Sequence, residues 1–271
     1  MTYLQVQFDI KSTEQREILL ALLADAGFDG FEESDTALKA FISETTFDKT
    51  ATDTIASNNN ITYSISSIKQ QNWNAQWESS FEPVIINDFA AIRAGFHQPV
   101  KNVQYEIIIT PKMSFGTGHH ATTFLVIQQM SKLNFVDKSV LDFGTGTGVL
   151  AILAEKMGAN SVKAIDNDDW SIENAKENIG TNDVNHITVE KAESIDTTSK
   201  FDIILANINL NVILQNMPDI AAVSKPGAQI LLSGFLYSDE AAIKQSLNVN
   251  GLIFNSLTQQ KDWICIWASK P

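Results

Sequence analysis

Apolar and polar positions change period several times along the chain. Residues 3–10 alternate, with Leu4, Val6, Phe8 and Ile10 on one face, and predict a strand. Ser12 and Gln15 have the spacing of a capping box. Behind them Ile18, Leu19, Leu22, Leu23 and Ala26 form one helical stripe, with Gly27 where a helix-ending glycine belongs. Residues 28–33 and 37–44 predict paired strands around a turn at Ser34-Asp35. Residues 47–57 predict a weaker helix ended by Asn58-Asn59-Asn60, and Ile61, Tyr63 and Ile65 a further strand. The order β-α-β-β-α-β predicts a small α+β ferredoxin-like domain over residues 1–70.

Trp73 and Trp77 then fall i, i+4 on a predicted helix, which either packs against a neighbouring domain or offers a platform to a substrate. Pro83 and Pro99 punctuate short strands, among them residues 89–94 and 105–110, and residues 71–100 are expected to form a linker region. Beyond Ala121 strands and helices alternate regularly. Strands are predicted over 139–143, 161–166, 186–190, 201–206, 228–234, 251–257 and 262–268, with helices between the first five. The early strands are near-continuous Val, Ile, Leu and Phe, as in a parallel sheet covered on both faces. Residues 101–271 are therefore expected to form an α/β domain with a doubly wound, seven-stranded, mostly parallel sheet. Such a sheet binds its ligand at the carboxyl ends of the strands, where their order reverses.

Composition narrows the function. The chain has 271 residues, 44% hydrophobic, with 15 Phe and 5 Trp, so it can bury a sizeable core and is not a disordered chain. Its 32 acidic against 19 basic residues give a net charge of −13, which argues against a phosphate backbone as main partner and suits a cationic one. The single Cys265 forbids an intrachain disulfide and reads as a small core residue. With no apolar run of about 18 residues and no basic-then-apolar leader in Met1–Ile10, no membrane partner is expected and the location is read as cytoplasmic.

The chemistry gathers around residues 140–150, Val-Leu-Asp-Phe-Gly-Thr-Gly-Thr-Gly-Val-Leu. A buried strand runs into three alternating glycines and then a helix, so a ligand can touch the backbone of Gly144 and Gly146. Dinucleotide sites use G-x-G-x-x-G to seat a pyrophosphate. This loop is G-x-G-x-G behind Asp142, and an acid there favours a ligand bearing a sulfonium and an ammonium group, S-adenosylmethionine, over NAD. Asp166 ends the next strand and can accept hydrogen bonds from ribose hydroxyls, in either cofactor. Asp168 or Asp169 reads as a helix cap. Glu193 is either an adenine-edge contact or a solvated loop charge, and Asn207 either caps the segment beginning at Asn209 or holds a nucleophilic amine. His119 and His120 are adjacent, so their side chains diverge by about 100° on a helix and no shared metal ion is expected. Their glycine-rich neighbourhood reads instead as a loop that closes over the ligand.

Four segments together resemble the PrmA family of ribosomal protein methyltransferases: residues 113–123 (Met-Ser-Phe-Gly-Thr-Gly-His-His-Ala-Thr-Thr), 141–150, 205–208 (Leu-Ala-Asn-Ile) and 232–236 (Leu-Ser-Gly-Phe-Leu). The resemblance covers most of the chain. It implies a class I S-adenosylmethionine-dependent methyltransferase fold with a ferredoxin-like substrate-recognition domain. Cofactor contacts then fall on Thr123, Gly144, Asp166 and Asn207, joined by Gly146 and Glu193 from the reading above. Asn207 would position the amine, with Phe115 and Gly116 closing the site. The implied reaction methylates lysine and N-terminal amines of protein eleven of the large ribosomal subunit, met free before assembly, because assembled RNA would repel an acidic enzyme. The chain departs from the family at Ala121, where Glu is usual, and at residues 166–169, Asp-Asn-Asp-Asp in place of Asp-x-Asp-Pro. Two other readings are a methyltransferase for another protein or small molecule and, more remotely, an NAD-binding oxidoreductase.

Overall fold

The computed structural model describes residues 3–34, 36–68, 81–112 and 115–271. The expected Trp73/Trp77 helix, Met113, Ser114 and Asp35 lie outside the described residues. The chain forms two compact units, Met1–Phe81 and Glu82–Pro271.

The first unit contains β1 (Tyr3–Asp9), α1 (Thr13–Asp25), β2 (Gly30–Glu33), β3 (Ala37–Ser43), α2 (Lys49–Asn58) and β4 (Tyr63–Ile68). Its antiparallel sheet has the order β2-β3-β1-β4, the ferredoxin-like topology. In register, Phe8 faces Leu38 and Tyr63, so the alternating apolar residues of β1 share a face with those of its neighbours. That face and Leu19 and Leu23 of α1 make the core. Ser12 Oγ accepts the Gln15 N–H at 3.2 Å, while the Gln15 side chain reaches back to the Lys11 N–H, one residue beyond the usual capping-box partner.

In the second unit β5 (Val84–Ile86), β6 (Ala90–Ala94) and β7 (Tyr105–Ile109) form a small sheet with β7 at one edge. The remaining elements are α3 (Ala121–Met130), β8 (Ser139–Phe143), α4 (Val149–Lys156), β9 (Ser161–Asp166), α5 (Asp169–Thr181), β10 (Ile187–Lys191), β11 (Phe201–Asn207), α6 (Leu210–Val223), β12 (Ser224–Leu236), α7 (Glu240–Val249), β13 (Ile253–Gln260) and β14 (Trp263–Ser269). They build a seven-stranded sheet of order β10-β9-β8-β11-β12-β14-β13 in which only β14 runs antiparallel to its neighbours. The strand order reverses between β8 and β11, which places the ligand crevice over their carboxyl ends.

The opposite ends of the same strands are fastened by charge. Asp202 Oδ2 accepts bonds from Lys225 Nζ at 2.7 Å and from the Ser139 N–H and Oγ at 2.9 and 2.7 Å, joining the starts of β8, β11 and β12. Burial pushes the Asp202 carboxyl up, but the bonds from Lys225 and Ser139 outweigh it and hold its pKa at about 2.

One local expectation fails. No helix separates β10 from β11, where residues 192–200 form bends and turns. That stretch is mostly polar and offers no apolar stripe to lay on the sheet. α5 ends at Thr181, beside Gly180, and Asn182 supplies the cap.

Candidate active site

β8 is almost wholly buried and delivers the chain to the glycine loop at the switch point. Gly146 has φ +53°, and a Cβ built there would lie 2.3 Å from the Phe115 carbonyl oxygen, so only glycine fits. The segment carrying Phe115 rests directly on this loop. The Thr147 N–H donates to the Phe115 carbonyl at 3.0 Å, and Thr147 Oγ1 donates to the Gly116 carbonyl at 2.8 Å.

Asp166, at the end of β9, accepts the Gly146 N–H on Oδ2 at 2.9 Å and the Asp168 N–H on Oδ1 at 3.1 Å. These two bonds fix the carboxylate against the cleft. Asp168 caps α5 by accepting the Ser171 N–H at 2.9 Å. Asn207 ends β11 and is not a cap, since Asn209 caps α6. Asn207 is 7% exposed; its Nδ2 donates to Thr123 Oγ1 at 3.2 Å, and its buried Oδ1 has no partner. Thr123 itself is fully buried on α3, behind Asn207.

These elements enclose a cleft of about 670 Å³ whose wall includes Phe115, Gly144, Gly146, Asp166, Glu193 and Asn207. Gly116 and Thr123 stand just behind that wall. Asp142 is also off the wall, contrary to the sequence reading. It is fully buried beneath the loop, where Oδ2 accepts the Thr145 hydroxyl at 2.6 Å. Burial, partly offset by bonds from Thr145 and the Ala151 N–H, raises its pKa to about 7.

Several lining residues were missed at the sequence level. Val212, Gln215, Asn216 and Asp219 of α6 face the cleft, and their three- and four-residue spacing after Asn207 was the available signal. Trp263 and Gly234 join them from β14 and β12. The rings of Phe115, His120 and Trp263 form a chain, with centroids 5.2 and 4.6 Å apart. His120 Nδ1 caps α3 by accepting the Thr122 N–H at 3.3 Å, whereas His119 Nε2 lies 2.9 Å from the Glu82 carbonyl oxygen. The adjacent imidazoles thus have separate partners.

The charge on the wall is one-sided. Among the described residues Asp166, Glu193 and Asp219 line it together with no Lys or Arg. A pyrophosphate would meet three carboxylates and no side-chain cation, while a sulfonium and an ammonium group would be attracted. A glycine cradle, a carboxylate at the end of β9 and an unpartnered buried acceptor fit S-adenosylmethionine. Fold and site together define a class I S-adenosylmethionine-dependent methyltransferase.

Comparison with known proteins narrows this to a family. The family model described as ribosomal protein L11 methyltransferase (PrmA) matches residues 6–271. The chain is 37% identical to the ribosomal protein L11 methyltransferase of Phocaeicola vulgatus over 98% of both chains. It is 41% identical to that of Chlorobaculum tepidum, over 90% of this chain and 89% of the other. The crystal structure of ribosomal protein L11 methylase from Lactobacillus delbrueckii subsp. bulgaricus superposes with a TM-score of 0.66 at 31% identity, covering 70% of this chain and 99% of that one. The chain belongs to the ribosomal protein L11 methyltransferase (PrmA) family.

Proposed function

We propose that this chain transfers methyl groups from S-adenosylmethionine to lysine and N-terminal amines of ribosomal protein L11, in the cytoplasm and before that protein enters the ribosome. The observation that carries the amine chemistry is Asn207 Oδ1, a buried acceptor without a partner at the carboxyl end of β11. A buried acceptor calls for an N–H donor, and an amine supplies one.

When bound, S-adenosylmethionine supplies an electrophilic methyl group on its sulfonium. Asp166 would hold its ribose hydroxyls, Glu193 its adenine edge, and the backbone of Gly144 and Gly146 would let it approach the loop. Thr123 acts through Asn207, holding the Asn207 amide so that its oxygen is turned to the amine. Phe115, half exposed on the wall, covers the site, and Gly116 keeps it there through Thr147. The acceptor amine must be neutral to attack, and lysine in water is protonated up to a pKa of about 10.4. Exclusion of water by the Phe115–His120–Trp263 rings lowers that value, and orientation of the lone pair supplies much of the rate.

The ferredoxin-like unit is the substrate-recognition domain in this reading. Residues 1–81 hold 12 acidic against 5 basic residues, which favours a basic protein substrate over nucleic acid. No helix among the described residues is long and apolar enough to cross a membrane.

The test is incubation of the chain with labelled S-adenosylmethionine and purified L11, free or within large subunits, followed by intact mass. Methyl groups added to free L11, and more slowly to the assembled form at low salt, are expected. Labelling of another acceptor while L11 stays unmodified would overturn the substrate; faster labelling of assembled L11 would overturn the timing.

A further inference from the structure

Asn174 and Asn178 on α5 and Asn182 at its C-cap recur every four residues and so lie along one face. All are buried, the first two completely. They meet the edge strand β7 as another strand would, because a side-chain amide offers the same donor and acceptor as a peptide group. Asn182 Oδ1 accepts the Ile108 N–H at 2.9 Å and its Nδ2 donates to the Ile108 carbonyl at 2.6 Å. Two residues on, Asn178 Oδ1 accepts the Thr110 N–H at 2.7 Å and Asn174 Nδ2 donates to the Thr110 carbonyl at 3.1 Å.

Asn178 alone of the three also reaches the glycine loop. Its Nδ2 donates to the Thr147 carbonyl at 2.8 Å and to Asn174 Oδ1 at 3.1 Å, so both amide hydrogens are used. Thr147 in turn holds the carbonyls of Phe115 and Gly116. Thr110, Phe115 and Gly116 are therefore held by one connected set of hydrogen bonds.

The geometry points to Asn178 as a positioning residue for the methyl-transfer site: its buried amide ties β7 to the glycine loop and thereby sets where the loop and Phe115 stand around the cofactor. Asn182 makes two bonds to β7 and none to the loop, and is the structural counterpart against which the role of Asn178 is measured.

The inference rests on the cleft being the S-adenosylmethionine site, so calorimetry on the wild-type chain comes first; no binding there would fail that reading and not this one. In Asn178→Ala the dissociation constant and KM for S-adenosylmethionine are expected to rise about tenfold, with kcat at saturating cofactor changed less than about threefold. Asn182→Ala is expected to lower the melting temperature at least as much while leaving both constants within about twofold of wild type. Loss of folded protein lowers apparent kcat and leaves KM alone, so the split separates the two roles. Asn178→Asp keeps the shape and the acceptor for Thr110 but places an oxygen against the Thr147 carbonyl. It is expected to weaken cofactor binding in the same way, and it carries the test if the alanine variant does not fold. Cofactor constants unchanged in the Asn178 variants, or raised equally in Asn182→Ala, would overturn the assignment.

Discussion

The two units differ in what they bury. Among the described residues of the first, Thr52 is the one buried polar side chain; the second has fifteen, including Thr123, Asp142, Thr147, Asn174, Asn178 and Asn207. The first unit is held by an apolar sandwich between its sheet and two helices. The second has the same kind of core and, in addition, a layer of amides and hydroxyls between the sheet and its loops. Burying a polar group costs stability unless it is hydrogen-bonded, so these groups are retained where a loop must be held in one place. One such group keeps an unpartnered buried acceptor: Asn207 Oδ1, at the carboxyl end of β11 on the cleft wall. Charge divides the other way: residues 82–271 carry 20 acidic and 14 basic residues, so acidity is denser in the smaller unit.

The sharpest way to break this comparison is one methyl group at a glycine in each unit. Gly234 sits in a bulge of β12 with φ +100°, and an added Cβ would lie 2.2 Å from the Ile208 carbonyl oxygen and 2.8 Å from the Ile208 nitrogen. Backbone cannot yield there without moving Asn207, so Gly234→Ala is expected to lower kcat/KM by about a hundredfold or more. Gly27, after α1, has φ +90°, but its nearest neighbour would be the Ile42 methyl at 4.0 Å. Gly27→Ala is expected to cost about 1 kcal/mol of that unit's stability and leave cofactor affinity unchanged. Steady-state kinetics and chemical unfolding check both, and equal losses of activity would remove the distinction.

That contrast also marks what the sequence made legible. β8 and β9 have the predicted bounds because each is an apolar run closed by turn residues. The glycine loop and Asp166 are local in sequence and were read from it. Asp142 lies beneath the loop and not at the ligand: next to a ligand loop, a strand residue can face the cleft or the packing beneath it, and periodicity does not choose. The spacing of Asn174, Asn178 and Asn182 was visible, but its partner, the edge of β7, lies more than sixty residues earlier. Gly234 carries meaning only once Ile208 is known to press on it. Long-range approach of backbone to backbone leaves no periodic trace.

The next largest effect is on pH. The Asp142 carboxyl has its pKa raised from 3.8 to about 7, chiefly by burial. Between those values the folded chain holds a proton that the unfolded chain has released, so stability falls as pH rises from about 4 to about 7 and levels off above. A shift of this size corresponds to a loss of about 4 kcal/mol. Asp142→Asn, neutral throughout, is expected to flatten that slope in the second unit. The first unit buries no carboxylate among its described residues and lacks this contribution. Hydrogen exchange at pH 5 and pH 8, read separately for the two units, measures it; a slope unchanged by Asp142→Asn would place its origin elsewhere.

The smallest effect comes from one local device used in both units. Ser12 caps α1 by accepting the Gln15 N–H at 3.2 Å, and Asn209 caps α6 by accepting the Val212 N–H at 3.1 Å. Each cap is worth about 1 kcal/mol, so Ser12→Ala and Asn209→Ala are expected to lose similar stability in their own units. Their functional consequences should differ, because Asn209 and Val212 also line the cleft beside Asn207 and Ser12 does not. Loosening the first turn of α6 is expected to raise the KM for S-adenosylmethionine about threefold, with none of that rise in Ser12→Ala. If both variants leave the KM alone, the first turn of α6 is held by its packing and the cap contributes stability only; if both raise it, the first unit contributes to cofactor binding and the division of labour between the two is not as drawn.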